Sequence, residues 1–326
     1  MKPSILLSGA AMTLALTVFT GVAAAQTYPA KPLRLVVPFA PGGPNDILGR
    51  LVAQKLTEAW GQTVLVENRG GAGGTVGLEA ASRLPGDGYS IAMGGTSNLA
   101  VAPSLYAKLP YDSVKDFTPI INVAIVPYAL AVNPTVPAKN VKELLAVARK
   151  KAGYLSYGSS GLGSISSLAA EMLKSMSKTD IVHVPYKGTV PALTDVVSGQ
   201  IDMMLADLAI IKPHADSGRL RMIAVTGSRR SSVAPDVPTV AESGLPGYEL
   251  SPWFGVVAPA GVARDLVAKL NGTIGTSLKS PDVVQRLGGL GYEPLGGTAE
   301  QFAATIRADI VKYSKIVKSA GIKADL

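Results

Sequence analysis

The sequence predicts an α/β protein of two lobes, each a mainly parallel sheet flanked by helices. Short apolar runs alternate with helical patterns along its 326 residues. Both halves also repeat one order of strand, small-residue loop and helix. Two extended stretches, 123–134 and 251–258, are placed to carry the chain between lobes. On that reading residues 27–124 and 253–326 form the first lobe and 125–252 the second. A double crossover of this kind lets two rigid bodies close on a ligand by a hinge motion.

In the first lobe, 33–39 reads as a buried strand. Residues 45–60 read as a helix with Ile47, Leu48, Leu51, Val52, Leu56 and Ala59 on one face. A strand follows at 63–67, then a glycine loop opening a helix within 68–83, then a strand at 89–93 that ends in "GGTSN". In the second lobe a helix is expected at 141–151 and a strand at 155–157. After "GSSGLGS" (158–164) comes a helix carrying Ile165, Leu168, Ala169, Met172 and Leu173 at helical spacing. Strands at 181–186, 202–206 and 220–225 surround a helix at 190–198, and helices at 263–278 and 299–319 close the chain.

The first 25 residues have the three parts of an export signal: Lys2, an apolar run over 5–22, and Ala23-Ala24-Ala25 before Gln26. Cleavage after Ala25 leaves 301 of 326 residues, and loss of Lys2 lowers the net charge from +8 to +7. A chain of that length usually divides into two cores. No later run has the roughly 18 unbroken apolar residues a membrane span needs. A hydrophobic content of 47% is that of a globular chain, and Gly 35 with Pro 23 implies many tight turns.

Cysteine is absent, which removes disulfides, thiolate nucleophiles and thiolate metal sites. The modest positive charge favours small anions. Scattered basic residues and 6% aromatics argue against a nucleic-acid partner.

Candidate chemistry lies in three loops. In "VVPFAPGGPNDILGR" (36–50), Gly42-Gly43 stands between strand and helix, where bare backbone and free N–H groups can meet an anion. A tight turn is the plain alternative. "GSSGLGS" places Ser159, Ser160 and Ser164 before a second helix, and "GGTSN" adds Thr96, Ser97 and Asn98. Ligands of open α/β sheets lie beyond the carboxyl ends of strands, so these loops can surround a small anion with neutral donors. Asp46, in the first turn of its helix, either complements the helix dipole or binds an ammonium group or water. Asp207, at the end of "DMMLAD", is a candidate to face the cleft.

Enzyme motifs are not met. Val76 occupies the third glycine position of a dinucleotide fingerprint in "GGAGGTVG", and no G-x-x-x-x-G-K-[ST] occurs. Leu162 occupies the second flanking glycine position around Ser160, so a nucleophile elbow is not formed. His183 and His214 are the only histidines, and their spacing makes a weak metal site. No cofactor or metal is expected.

Several longer stretches carry a family resemblance: "YPAKPLRLVVPFAPGGPND" (28–46), "VENRGGAGGTVG" (66–77), "GDGYSIAM" (86–93) and "PSLYAKLPYDSVKDFTPI" (103–120). "VPYKGTVPALTDVVSGQIDMM" (184–204), "PDVPTVAESGLPGYE" (235–249) and "PWFGVVAPAG" (252–261) continue it. In their order and spacing the chain resembles the tripartite tricarboxylate transporter substrate-binding proteins, the Bug or TctC family, over essentially its whole length after the signal.

The resemblance implies a periplasmic "Venus flytrap" of type II that captures a small organic acid and delivers it to membrane permease subunits. It implies ligand contacts from Phe39, Ala40, Gly42, Gly43 and Asp46; from Thr96 and Ser97; from Ser159, Ser160, Gly161, Gly163 and Ser164; and from Asp207. Asn98 and Ser167 stand where histidine is common in the family, so the resemblance does not name the acid. A receptor signalling to a membrane sensor and a periplasmic enzyme acting on a similar acid are the other functions considered. A monomer is expected.

Overall fold

The computed structural model describes residues 28–319, and the expected export signal lies outside the described residues. Eleven strands form two sheets among those residues. The first contains β1 (Leu33–Val37), β2 (Val64–Asn68), β3 (Ser90–Gly95), β4 (Phe117–Ile125), β10 (Trp253–Pro259) and β11 (Glu293–Gly296). The second contains β5 (Tyr128–Val132), β6 (Ser156–Ser159), β7 (Val182–Pro185), β8 (Met203–Asp207) and β9 (Arg221–Val225). Their spatial orders are β11-β4-β10-β3-β1-β2 and β7-β6-β8-β5-β9.

Helices cover these sheets as the apolar periodicity requires. Helix α1 (Pro44–Trp60) buries Leu48, Leu51, Val52 and Leu56 against β1, whose own Leu33, Leu35 and Val37 are sealed from solvent. Each such side chain contributes about 1.5–3 kcal/mol by leaving water. Proline at the first helical position suits the start of α1, and Gly61 ends it in a left-handed conformation with its N–H on Thr57 O. Helices α2 (Thr75–Ser82) and α3 (Ala102–Leu105) complete the early part of this lobe.

In the second lobe α4 (Val141–Lys150) starts from Asn140, whose side chain accepts from Glu143 N–H at 2.9 Å. Helix α5 (Ile165–Ser177) starts from Ser164, and α6 (Thr189–Ser198) and α7 (Leu208–Asp216) follow. The chain then returns to the first lobe for α8 (Arg264–Leu278), α9 (Pro281–Gly289) and α10 (Ala299–Ser319).

Most strands of each sheet run one way, as expected: β1 to β4 in the first and β6 to β9 in the second, with β10, β11 and β5 set against them. Pairs β1–β2, β1–β3, β6–β7 and β6–β8 are parallel, whereas β10 runs antiparallel to both β3 and β4, as β11 does to β4 and β5 to both β8 and β9. The crossover is the reason. Strands β3 and β4 both end at the cleft, so a strand re-entering the lobe from the cleft must run the other way. Strand β5 enters the second lobe under the same constraint. Alternating strands and helices reveal parallel pairs, but they carry no sign of a strand inserted after a long excursion.

Two short segments join the lobes side by side. Val126 N–H donates to Pro252 O at 2.9 Å, and Thr226 Oγ1 donates to Leu250 O at 2.8 Å. Trp253 Nε1 donates to Asp309 Oδ2 at 2.5 Å, which fixes the return crossover to α10. The extended stretch expected at 123–134 is therefore two strands in different sheets, separated by Val126 and Pro127. Helices α3, α7 and α9 and strand β11 were not among the expected elements: each is short, and α7 has Pro213 inside it.

Candidate functional site

The strand-to-helix loop after β1 is held by one carboxylate. Asp46 Oδ2 accepts from Gly42 N–H at 3.0 Å and from Arg50 Nε at 2.9 Å, and Oδ1 accepts from Asn68 Nδ2 at 2.9 Å. Asn68 Nδ2 also donates to Phe39 O at 3.0 Å. Burial would raise the Asp46 pKa, but the hydrogen bonds from Arg50, Asn68 and Gly42, with the Arg50 charge, outweigh it and hold it below the usual carboxylate value. Both oxygens are thus engaged by the loop and its neighbours, so Asp46 positions the loop. Gly42 takes φ +90°, which the turn needs and which an L side chain rarely adopts. Gly43 precedes α1 without a side-chain cap, and Asp46 and Ile47 N–H both turn back to its carbonyl at 3.0 Å. The Asn45 N–H is left at the open end of the helix.

Across the cleft, the serine loop is tied by hydroxyls. Ser160 Oγ lies 3.0 Å from Ser166 Oγ, which lies 2.9 Å from Ser164 Oγ, and Ser164 Oγ accepts from Ser167 N–H. Ser166 is the centre of this chain, and sequence reasoning missed it because it lies inside the helix rather than in the glycine loop. The lobes touch here. Tyr106 Oη in the first lobe shares its one hydrogen between Ala72 O at 3.0 Å and Leu162 O of the second lobe at 3.1 Å. A Cβ on Gly73 would sit 2.8 Å from Leu162 O and the Gly163 carbonyl carbon, so only glycine permits this approach.

Between the lobes lies a cavity of about 10 Å³, the room of one water molecule, lined by residues of both. Its wall includes Gly43, Pro44 and Asn45 at the start of α1, Ile165 at the start of α5 and Thr189 at the start of α6. Ser97 joins them from a π-helical turn, 96–101, that follows β3. Phe39, Ala40, Tyr128, Ser160 and Phe254 complete the wall. Three helix N-termini, each a partial positive charge, therefore converge on one space, and no charged side chain lines it.

Of the residues expected at a site, Phe39, Ala40, Gly43, Ser97 and Ser160 line this cavity. The others stand behind it. Gly42 and Asp46 hold each other. Thr96 Oγ1 accepts from Trp253 N–H at 2.9 Å and so serves the crossover. Ser159 Oγ lies 2.6 Å from His183 Nε2, and Gly161, Gly163 and Ser164 shape the loop. Asn98 Oδ1 accepts from Gly95 N–H and Ser167 Oγ donates to Ser164 O, and neither Asn98 nor Ser167 lines the cavity.

Asp207 is fully buried and does not face the cavity. It caps α7 through Ala209 N–H and accepts from Tyr292 Oη in the other lobe. Sequence reasoning missed Pro44, Asn45, Tyr128, Ile165, Thr189 and Phe254. Thr189 had a visible signal, since "YKGTV" repeats the glycine-then-helix pattern of the other two loops.

The Ser159–His183 pair has the spacing of a nucleophile and base, yet Ser159 is 0% exposed. The His183 ring stacks on Tyr157 at 4.5 Å, and burial pushes its pKa down to about 4, against the pull of Glu171. No cluster of three or more His, Cys, Asp or Glu able to hold a metal is present among the described residues.

A model of the tripartite tricarboxylate transporter family receptor matches residues 48–322. A Pseudomonas sp. (strain P51) protein from the tcbD-tcbE intergenic region is 36% identical over 316 residues, 96% of this chain and 94% of its own. The structure of R. palustris Rpa4515 with adipate superposes with a TM-score of 0.88 at 37% identity, covering 91% of this chain and 99% of that one. MatC from Rhodopseudomonas palustris with bound malate gives a TM-score of 0.85 at 32% identity, covering 89% and 100%. With most of its length matched and its lobes folded alike, the chain belongs to the tripartite tricarboxylate transporter receptor family.

Proposed function

We propose that this periplasmic receptor closes its lobes, 27–124 with 253–326 and 125–252, on a small carboxylate-bearing metabolite and presents it to the membrane subunits of a tripartite tricarboxylate-type transporter. The convergence of the α1, α5 and α6 N-termini on a cavity without charged side chains carries the reading. Backbone N–H groups and the hydroxyls of Ser97, Ser160 and Thr189 are suited to a carboxylate, which only accepts hydrogen bonds. The adipate and malate of two relatives are acids of this kind. Capture requires no covalent step, because contacts from both lobes shift an open–closed equilibrium. The buried Ser159 hydroxyl, turned to His183 and away from the cavity, supports a binding role over hydrolysis.

Export through residues 1–25 is part of the proposal, and mass spectrometry of periplasmic protein should find an N-terminus at Gln26. The decisive experiment is a thermal-shift screen of the mature protein against mono-, di- and tricarboxylates, amino acids, aromatic acids and neutral sugars. A ligand at 100 times its Kd should add about 2.7 kcal/mol of stability. A shift with a sugar and none with any acid would overturn the carboxylate reading.

A further inference from the structure

We infer that the acid carries a hydroxyl on the carbon beside its carboxylate, and that the Asn45 side chain reads it. The inference rests on the carboxylate reading above and narrows it. Asn45 lines the cavity and is 4% exposed, and its Oδ1 is sealed from solvent without a donor. Buried polar atoms in native proteins are nearly always paired, and an orphan at a binding surface marks a partner the protein itself does not supply. The adjacent residue sharpens the contrast: Asp46 receives three hydrogen bonds, all from its own loop and its neighbours.

A carboxylate cannot serve Asn45 Oδ1, because it has no hydrogen to give. The partner must be a donor: an ammonium, a hydroxyl, or the single water the closed cavity has room for, which a ligand hydroxyl would displace. Ammonium is disfavoured by the surroundings. No anionic side chain lines the cavity, both oxygens of Asp46 are already engaged, and three helix N-termini make the space positive. A hydroxyl carries no charge. Position follows from the helix. Asn45 is two residues beyond Gly43, on the same first turn whose N–H groups are suited to the carboxylate, so the group it reaches is next to that carboxylate. Phe39, Ile165 and Phe254 give the rest of the ligand an apolar surround.

The test is calorimetric titration of the mature protein with pairs of acids differing by one group: glycolate and acetate, lactate and propionate, malate and succinate, with alanine and aspartate as 2-amino counterparts. The hydroxy member of at least one pair should bind about tenfold or more tightly than both its deoxy and amino counterparts. In Asn45→Ala, with folding checked by its thermal melt, that preference should fall below about twofold. Equal or tighter binding of the deoxy acids, or preference for the amino acids, overturns the inference while leaving the carboxylate reading intact. So does an Asn45→Ala protein that keeps the wild-type preference. If no acid of any kind binds, the carboxylate reading fails and the inference falls with it.

Discussion

Tyr292 in the first lobe donates a hydrogen bond to the carboxylate of Asp207 in the second, beside the two crossovers and behind the cavity. The link is buried on both sides. Asp207 ends β8, where it pairs with Tyr128 at the start of β5, and Tyr292 immediately precedes β11. The next residue, Glu293, accepts from Arg229 of the second lobe at 2.9 Å. The hinge is thus flanked by a short run of the first lobe that grips the second. A residue expected to touch the ligand instead joins the two bodies that enclose it.

That position has a consequence for pH. Burial pushes the Asp207 pKa up to about 7, partly offset by hydrogen bonds from Tyr292 and Ala209 N–H; the other ionisable group beside it is the buried Tyr128. The folded protein therefore holds this proton more tightly than the unfolded chain, whose carboxyl titrates near 3.8. Between those values folding stability falls as pH rises. Asp207→Asn should flatten that part of the stability profile, read as melting temperature from pH 4 to pH 7.5 in wild type and variant. An unchanged slope would remove Asp207 as its source.

The first loop invites a steric test. Gly43 has φ −87°, a conformation open to any residue, and a Cβ there would meet Thr189 Oγ1 at an ordinary 3.6 Å. The larger branches of Gly43→Val enter the cavity between α1 and α6. Acid affinity should drop at least tenfold, or about 1.4 kcal/mol, while the melting temperature without ligand stays within a few degrees. Wild-type affinity in this variant would take the Gly43 surface out of the site.

How far the site was legible depended on which atoms the pattern reveals. Glycine pairs before helices marked α1 and α5 correctly, because backbone geometry demands small residues at such turns. Ser159 and Ser160 are adjacent, and nothing in their order says that one hydroxyl faces His183 and the other the cavity. A residue at the end of a strand can point to either face, which is why Asp207 read as a cleft residue. Phe254 and Tyr128 enter the wall only through the pairing of strands from distant parts of the chain. The lobes were readable from their repeated order, whereas antiparallel β10 and β5 depended on the path through the crossover.

His183 supplies a pH effect of the opposite sign. Its pKa is held near 4 by burial, below the 6.5 of an exposed histidine, so the unfolded chain binds the proton more readily. Its contribution to stability is complete above pH 6.5 and is lost as pH falls toward 4. His183→Phe keeps a ring on Tyr157 but cannot titrate, and its melting temperature should decline less steeply over that interval than that of wild type. Its acid affinity at pH 7.5 should stay within about threefold, under 0.7 kcal/mol, because Ser159 and His183 lie off the cavity. A loss of binding comparable to that of Gly43→Val would return Ser159 to the site.

Asp46→Asn tests whether the first loop is held in place by its carboxylate. The amide of the variant has one acceptor oxygen where Asp46 has two, and its NH2 group would face donors already present on Asn68 or on Arg50 and Gly42. At least one buried hydrogen bond is lost and one donor is left unpaired, at a cost of about 1–3 kcal/mol. Affinity should fall as well, because Gly42 and Phe39 lose the anchor that fixes the N-terminus of α1. The wild-type advantage should itself fade in acid. A carboxyl held below its usual value stabilises the fold above that value and ceases to do so once pH falls through its folded pKa. Melting curves of the two proteins should therefore be well separated at pH 7 and draw together as pH falls below the usual carboxylate range. Curves that stay equally far apart in acid would mean that Asp46 acts by shape rather than by charge.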